Sequence, residues 1–356
     1  MRMSQPTGVG ILGFAHGHVN SYCEEWKRPE YGIRVIAGWD HDPERLEKAK
    51  KAFGLVGYAD ASEMLARDDI LAVVVSSETS MHADLVELAA AAGKAVILQK
   101  PMALTIREAD RIVEAVGKHR IPFTMAWQMR ADPQNIQMKQ WMDSGELGKV
   151  FTIRRRHGLA MGLQPSFADS WHVKPEYNRD IWADDASHPI DLLHYWLGVP
   201  DSVTAEIESL HNPRIPMDNG IAIFRYPGGP LAEVNCSFTC NAAENTTEIV
   251  CERGTIVQNY GDATSCNVPR PGEGAGLKRF DVATGAWTAS DIGSPPNHGF
   301  RIRGLAEPLA RFVRGERGAL ASAEEGRTSL RMVLACYASA RQGRRVTLDD
   351  PMIAQL

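Results

Sequence analysis

The 356-residue chain has no apolar run approaching the roughly 18 residues of a helical membrane span. Met1 to Thr7 lack the apolar core of a signal peptide, so the expected location is the cytoplasm. There is no CxxC and no regular cysteine framework. Cys23, Cys236, Cys240, Cys251, Cys266 and Cys336 read as reduced thiols, mostly filling the core. An excess of basic residues is also missing. The net charge of −5 argues against a nucleic-acid or anionic-membrane partner held by bulk electrostatics. No internal repeat or coiled-coil segment is present. Apolar residues, in contrast, make up 44% of the chain, ample for packed cores, and the length suggests two domains.

The amino-terminal third alternates strand and helix signals. Val9 to Leu12 is apolar and leads through a turn into a helix reaching roughly Trp26. Ile33 to Trp39 is a second strand, ending at Asp40, and Asp42-Pro43-Glu44 opens a helix with an N-cap, a first-turn proline and an early acid. Ile70 to Val75 is another strand, and Ala83 to Ala92 a helix stopped by Gly93. Ala95 to Leu98 is a short continuous apolar run, as expected of a parallel strand buried on both faces. Thr105-Ile-Arg-Glu108 is a capping box, and Ile121 to Trp127 one more strand. Strands separated by helices of this length predict an α/β fold with a doubly wound parallel sheet over residues 1–127.

Beyond residue 200 the pattern changes. Val203 to Ser209, Ile221 to Arg225, Leu231 to Phe238 and Thr247 to Glu252 read as successive strands without helical crossovers. They predict an α+β domain over residues 128–356 with a large, mostly antiparallel open sheet. One face would cover helices and the other would need a partner or a polar surface. Cys236 and Cys240 face the same side and need only be core. Pro269 to Gly276 reads as a flexible loop, and Arg301 to Arg314 and Thr328 to Ala340 as closing helices.

Gly8-Val-Gly10-Ile-Leu-Gly13 spells G-x-G-x-x-G, yet nothing before Gly8 can be the strand that a dinucleotide fingerprint must follow. The strand is residues 8–12, so the working turn is Gly13-Phe14-Ala15-His16-Gly17-His18. Asp40 lies 22 residues past His18, at the end of the second strand. A carboxylate there accepts from a ribose diol and repels a 2′-phosphate, favouring NAD over NADP; the alternative is a turn former ahead of His41-Asp42. Lys100 and Pro101 close the Ala95–Leu98 strand. Ligands in open α/β sheets sit beyond the carboxyl ends of strands, so Lys100 is expected to project into the cofactor crevice. An isolated Lys-Pro pair, without such surroundings, would read as a surface loop.

The order of the motifs resembles the Gfo/Idh/MocA oxidoreductase family, which includes inositol dehydrogenases and glucose–fructose oxidoreductase. Ser80-Met81-His82, Gly93-Lys94-Ala95-Val96 and Gln99-Lys100-Pro101 are similar to its H…AG-K-x-V…EKP signature. Met129 to Pro133 is similar to its R-x-x-P stretch, Ser144 to Gly148 to its SGxLG turn, and Asp184-Asp-Ala-Ser-His188-Pro-Ile-Asp191 to its D-x-x-x-H-x-x-D motif. Gln99 replaces the glutamate of EKP, Glu78 stands where the family usually has proline, and the glycines expected before Asp184 are absent.

The resemblance implies NAD-dependent oxidation or reduction of a secondary hydroxyl on a sugar, cyclitol or sugar derivative, with hydride passing to nicotinamide C4. It implies cofactor contacts from Gly13, Phe14, Ala15, His16, Asp40, Ser76, Ser77, His82, Gln99 and Lys100. Substrate contacts fall to Trp127, His157, Trp171, His172, Asp184 and Asp191, and a homodimer or homotetramer through the carboxy-terminal sheet is expected. His188 suits the acid/base role, because imidazole titrates near neutral pH. Pro189 fits only a first helical turn, which would put His188 near a helix amino end where the dipole keeps it neutral. Asp184 would hold a substrate hydroxyl, and Asp191 either binds substrate or stabilises the helix start. Lys100 would donate to the reacting oxygen and stabilise alkoxide charge. His16 and His18, with His82, lack companions at metal spacing, so no metal is expected. Two alternative readings of the chain keep the same fold: a glycosidase that retains NAD, and a non-catalytic sensor of NAD and a metabolite.

Overall fold

The computed structural model describes residues 5–241, 245–258, 275–295 and 298–356. Cys266 and residues 269–274 of the expected flexible loop lie outside the described residues. The chain forms two compact units, Met1–Gln128 with Ile302–Leu330, and Met129–Arg301 with Arg331–Leu356.

The first unit is a doubly wound α/β sheet. Six parallel strands, β1 (Thr7–Leu12), β2 (Ile33–Trp39), β3 (Val56–Tyr58), β4 (Ala72–Val75), β5 (Ala95–Leu98) and β6 (Phe123–Met125), lie in the order β3-β2-β1-β4-β5-β6. Helices α1 (His18–Glu25), α2 (Pro43–Phe53), α3 (Ala61–Leu65), α4 (His82–Ala91) and α5 (Ile106–His119) connect them. Strand order reverses at β1 and β4, so the ligand crevice of such a sheet opens at their carboxyl ends. All four residues of β4 are buried, as its unbroken apolar run demands. Asp42 caps α2 by accepting from the amides of Glu44 and Arg45, and the Thr105–Glu108 capping box closes in both directions. Gly8 and Gly10 lie inside β1, which leaves Gly13 as the first glycine of the turn.

Residues 302–330 pack with this unit, although the sequence pattern assigned all of 128–356 to the second domain. An exposed edge strand leaves backbone groups unpaired, and this segment supplies partners beside β6. Met125 N–H donates to the Ala321 carbonyl at 3.0 Å, and Leu320 N–H to Thr124 Oγ1 at 2.9 Å. The Trp26 indole donates to the Ala306 carbonyl at 2.8 Å.

After α6 (Gln128–Ala131) and α7 (Pro133–Asp143), the second unit builds a nine-stranded mixed sheet. Its strands are β7 (Val150–Gly158), β8 (Ser202–Glu208), β9 (Asn219–Arg225), β10 (Leu231–Ser237), β11 (Asn245–Cys251), β12 (Gly254–Gln258), β13 (Leu277–Asp281), β14 (Ala286–Ala289) and β15 (Val346–Thr347). They run β14-β13-β12-β11-β7-β10-β9-β8-β15, antiparallel except where β7 meets β10. Helices α8 (Pro175–Asn178) and α9 (Ser187–Leu197) belong to this unit, and α9 packs on β7 and β10.

The central strand β7 escaped the sequence pattern because Arg154-Arg155-Arg156 interrupts its alternation. Arg155 nevertheless points inward and is buried, with its guanidinium donating to Thr247 Oγ1 at 2.6 Å, Gln258 Oε1 at 2.9 Å and Asn245 Oδ1 at 3.1 Å. The expected Arg301–Arg314 helix is two helices, α10 (His298–Arg303) and α11 (Ala306–Val313), parted at Gly304, and the last helix, α12, runs Ala323–Gln342. Among the described residues no helix is long and apolar enough to cross a membrane. Cys23, Cys236, Cys240, Cys251 and Cys336 are buried and form no disulfide among the described residues.

Candidate active site

In the first unit the β1–α1 turn is held tightly against β4. Gly13 has φ +88°, and a Cβ there would sit 2.5 Å from the Cα of Ser77, so only glycine fits. His16 N–H donates to the Ser76 carbonyl at 3.0 Å, while Ser76 Oγ donates to the His16 carbonyl at 3.1 Å. The turn therefore brings Gly13, Phe14, Ala15 and His16 beside Ser76 and Ser77. Helix α1 starts at Gly17 with no side-chain cap among the described residues and no acid in its first turn. Those amides and the positive end of the dipole suit a pyrophosphate, so the turn fits NAD. The His16 and His18 rings meet edge to face at 4.3 Å, and no cluster of metal-binding side chains occurs among the described residues.

Asp40 sits where expected, at the end of β2, but its carboxylate faces inward. It accepts from Phe14 N–H at 2.7 Å, from Asp42 N–H at 2.8 Å and from Arg45 Nη2 at 2.9 Å, with its side chain fully covered. Two backbone amides and a guanidinium occupy it, and Arg45 is the member that reaches solvent. Arg45 Nη1 also donates to Glu78 Oε1 at 2.8 Å, and His41 Nε2 lies 3.0 Å from Glu78 Oε2. Burial pushes the Glu78 carboxyl up, but hydrogen bonds from Arg45, its own backbone N–H and His41 outweigh it and lower the group from its ordinary range.

Lys100 follows β5 at a cis Lys100–Pro101 peptide and is buried. Two neighbours named as cofactor contacts support this turn and are themselves out of solvent. His82 Nδ1 lies 3.0 Å from the Pro101 carbonyl and must carry the proton to donate to it; burial holds this imidazole down at about 4, hence neutral. Gln99 Nε2 donates to the Tyr22 hydroxyl at 2.7 Å, and its Oε1 accepts from Lys100 N–H at 3.3 Å. A neutral amide fully buried beside a phenol costs less than the family's carboxylate would. Trp127 is likewise buried.

In the second unit the D-x-x-x-H-x-x-D residues lie on one helical run. A π-helical turn, Trp182–Ala186, leads directly into α9. Asp180 caps the run by accepting from Ala183 N–H at 3.1 Å. Gly220 leaves room for the turn: a Cβ there would be 2.4 Å from the Trp182 ring. Pro189 explains the widening, since it has no N–H for the Asp185 carbonyl and its ring would crowd that oxygen in an α-helix. His188 therefore lies within a helical run that starts near Trp182. His188 and Pro189 are the second and third residues of α9, near its amino end as expected, and the preceding π turn carries the helical run back past Asp184.

Asp184 faces His172, whose Nδ1 donates to Asp184 Oδ2 at 3.0 Å. The His172 ring stacks on Trp171 with centroids 3.9 Å apart, and both side chains are half-buried. Asp191 takes a different part. Arg130 grips it through Nε and Nη2, each 2.9 Å from one carboxylate oxygen, and both side chains are out of water. The pair anchors α9. His157, also expected at the substrate, is fully buried: Nδ1 lies 2.8 Å from Asn245 Oδ1 and Nε2 3.0 Å from Asp185 Oδ2. Its ring stands 5.7 Å from that of His188, so it backs His188 from inside the fold. Asp185, Asn245 and Arg130 received no role from the sequence. The paired acids at 184 and 185 were the one local signal, and spacing alone could not say which faces which histidine.

Two family models match the chain. The oxidoreductase family with an NAD-binding Rossmann fold covers residues 7–126, and the GFO/IDH/MocA C-terminal domain covers residues 135–257. The chain is 26% identical over 361 residues to the D-apiose dehydrogenase of Paraburkholderia graminis, spanning 96% of this chain and 89% of that protein. It is 26% identical over 368 residues to an inositol 2-dehydrogenase of Rubrobacter xylanophilus, spanning 98% and 96%. A levoglucosan dehydrogenase solved in complex with NADH and levoglucosan has the same fold, with a TM-score of 0.79 at 21% identity over 97% of this chain and 100% of that one.

Proposed function

We propose a function for this chain from one premise: it belongs to the GFO/IDH/MocA family of oxidoreductases, whose amino-terminal domain is an NAD-binding Rossmann fold. The reading is NAD-dependent oxidation, or the reverse reduction, of a secondary hydroxyl on a sugar, cyclitol or sugar derivative. The observation that carries it is the helical run holding Asp184 and His188, with Asp184 oriented by His172 beside the Trp171 ring. Curated relatives named for D-apiose, levoglucosan and inositol support the substrate class.

When bound, NAD supplies the nicotinamide C4 that accepts the hydride. The Gly13–Gly17 turn and the start of α1 hold its pyrophosphate. Asp184 accepts a hydrogen bond from a substrate hydroxyl, and Trp171 offers its face to the apolar face of the ring. His188 takes the proton of the reacting hydroxyl, which the buried His157–Asp185 pair assists by fixing the neighbouring ring position. Lys100 donates to the reacting oxygen and stabilises the charge that develops on it. His82 and Gln99 act on Lys100 by shaping its turn. The protein works in the cytoplasm as a homodimer or homotetramer through the exposed face of the nine-stranded sheet, where Ile221 and Ile223 stand half in solvent.

The test is NADH formation by the purified protein, supplied with NAD and a panel of D-apiose, levoglucosan, inositols, aldoses and glycosides. Net NADH build-up with a free sugar or cyclitol is the expected result. Glycoside cleavage without net NADH would instead mark an NAD-retaining hydrolase, and binding without turnover a sensor.

A further inference from the structure

Arg45 has no nitrogen left over. Its Nε and Nη2 lie on Asp40, its Nη1 on Glu78, and Nη2 also lies 2.9 Å from His41 Nε2. The two acids are buried, with side chains 0% and 4% exposed, while Arg45 is 23% exposed and is the face of the cluster that an incoming group meets. In dinucleotide folds the end of the second strand receives the adenosine ribose, and an arginine nearby accommodates the 2′-phosphate of NADP. Here the arginine is present but its fork is spent on carboxylates.

We infer that Glu78 is a cofactor-specificity residue: by locking Arg45 onto itself and Asp40, it denies NADP the cation that would receive its extra phosphate. This rests on the reading that the adenosine ribose docks at the end of β2. Asp40, Asp42 and Glu78 surround the single guanidinium, with Asp42 Oδ2 3.8 Å from Arg45 Nε, so a dianion meets three carboxylates against one fixed cation. Removing Glu78 subtracts one of those charges and releases Nη1 toward solvent. The carboxylate is not demanded by the backbone. Glu78 has φ −60°, which a proline adopts without strain, and proline is the residue that the family resemblance leads one to expect there.

The test is isothermal titration of NAD and NADP, at low ionic strength, against wild type, Glu78→Gln, Arg45→Ala and the double variant. Wild type should bind NAD more tightly. Glu78→Gln should narrow the NAD/NADP ratio of affinities by roughly tenfold, mainly by tightening NADP, as expected of one charge close to the ligand. The gain should vanish in the double variant, because Arg45 is its vehicle. Glu78→Pro should move the ratio in the same direction and decides the matter should the glutamine variant misfold. An unchanged ratio in both variants, or a gain that survives Arg45→Ala, would overturn the role of Glu78. Wild-type preference for NADP would overturn the docking reading itself.

Discussion

Arg130 holds Asp191 with two hydrogen bonds of 2.9 Å, and neither side chain sees water. The pair ties α9, which carries His188, to the helix that opens the second unit. A buried ion pair adds little net stability over an apolar pair, but breaking it strands a charge at a cost of about 3–5 kcal/mol.

Arg130→Leu should therefore lower stability by that amount, as read from a denaturant midpoint, and Asp191→Asn should do so less severely. Loss of stability should exceed any change in KM. A variant of Asp191 that unfolds like wild type but binds substrate poorly would return Asp191 to the substrate site.

Lys100→Ala should fold and bind NAD while losing a factor of roughly 10²–10³ in kcat, the usual consequence of removing one preorganised donor. Turnover near that of wild type would make Lys100 a bystander to the chemistry.

His82 gives a stability signature. Its imidazole is held neutral at about 4 in the folded state against 6.5 when exposed, so the unfolded chain binds the extra proton. The contribution is complete above pH 6.5 and drains away as the pH falls toward 4, reaching about 3 kcal/mol for a shift of that size. Thermal midpoints from pH 7.5 to 4 should fall less steeply in His82→Gln than in wild type. Parallel curves would show that burial does not hold His82 neutral.

Much of the first unit was legible because its signals are local. The Asp42 cap, the Thr105–Glu108 box and the two-sided apolar runs of β4 and β5 each act within a few residues. Gly13 could be separated from Gly8 and Gly10 because a fingerprint must follow its strand. What escaped depends on distant partners. Arg155 is buried in β7 by Asn245, Thr247 and Gln258, residues 90 to 103 positions away, so its strand gave no pattern to read. Asp191 looked equally like a ligand-binding acid until Arg130, 61 residues earlier, closed on both its oxygens. Asp40 was placed correctly at the end of β2, yet the lock formed with Glu78 through Arg45 leaves no trace in spacing. The π turn was hidden too, since Pro189 signals a helix start as readily as a widened turn.

The role of His188 as the base is the centre of the mechanism, and its most direct measurement is the pH dependence of NADH formation by wild type and His188→Asn with the substrate found in the panel. Wild-type oxidation should rise with pH through one ionisation and then level, because only the neutral imidazole is a base. The variant should lose the ionisation together with a factor of about 10²–10⁴ in rate, with NAD affinity little changed. A variant that keeps the same pH profile and most of its rate would contradict the assignment and send the proton to another group, with Lys100 the first to examine.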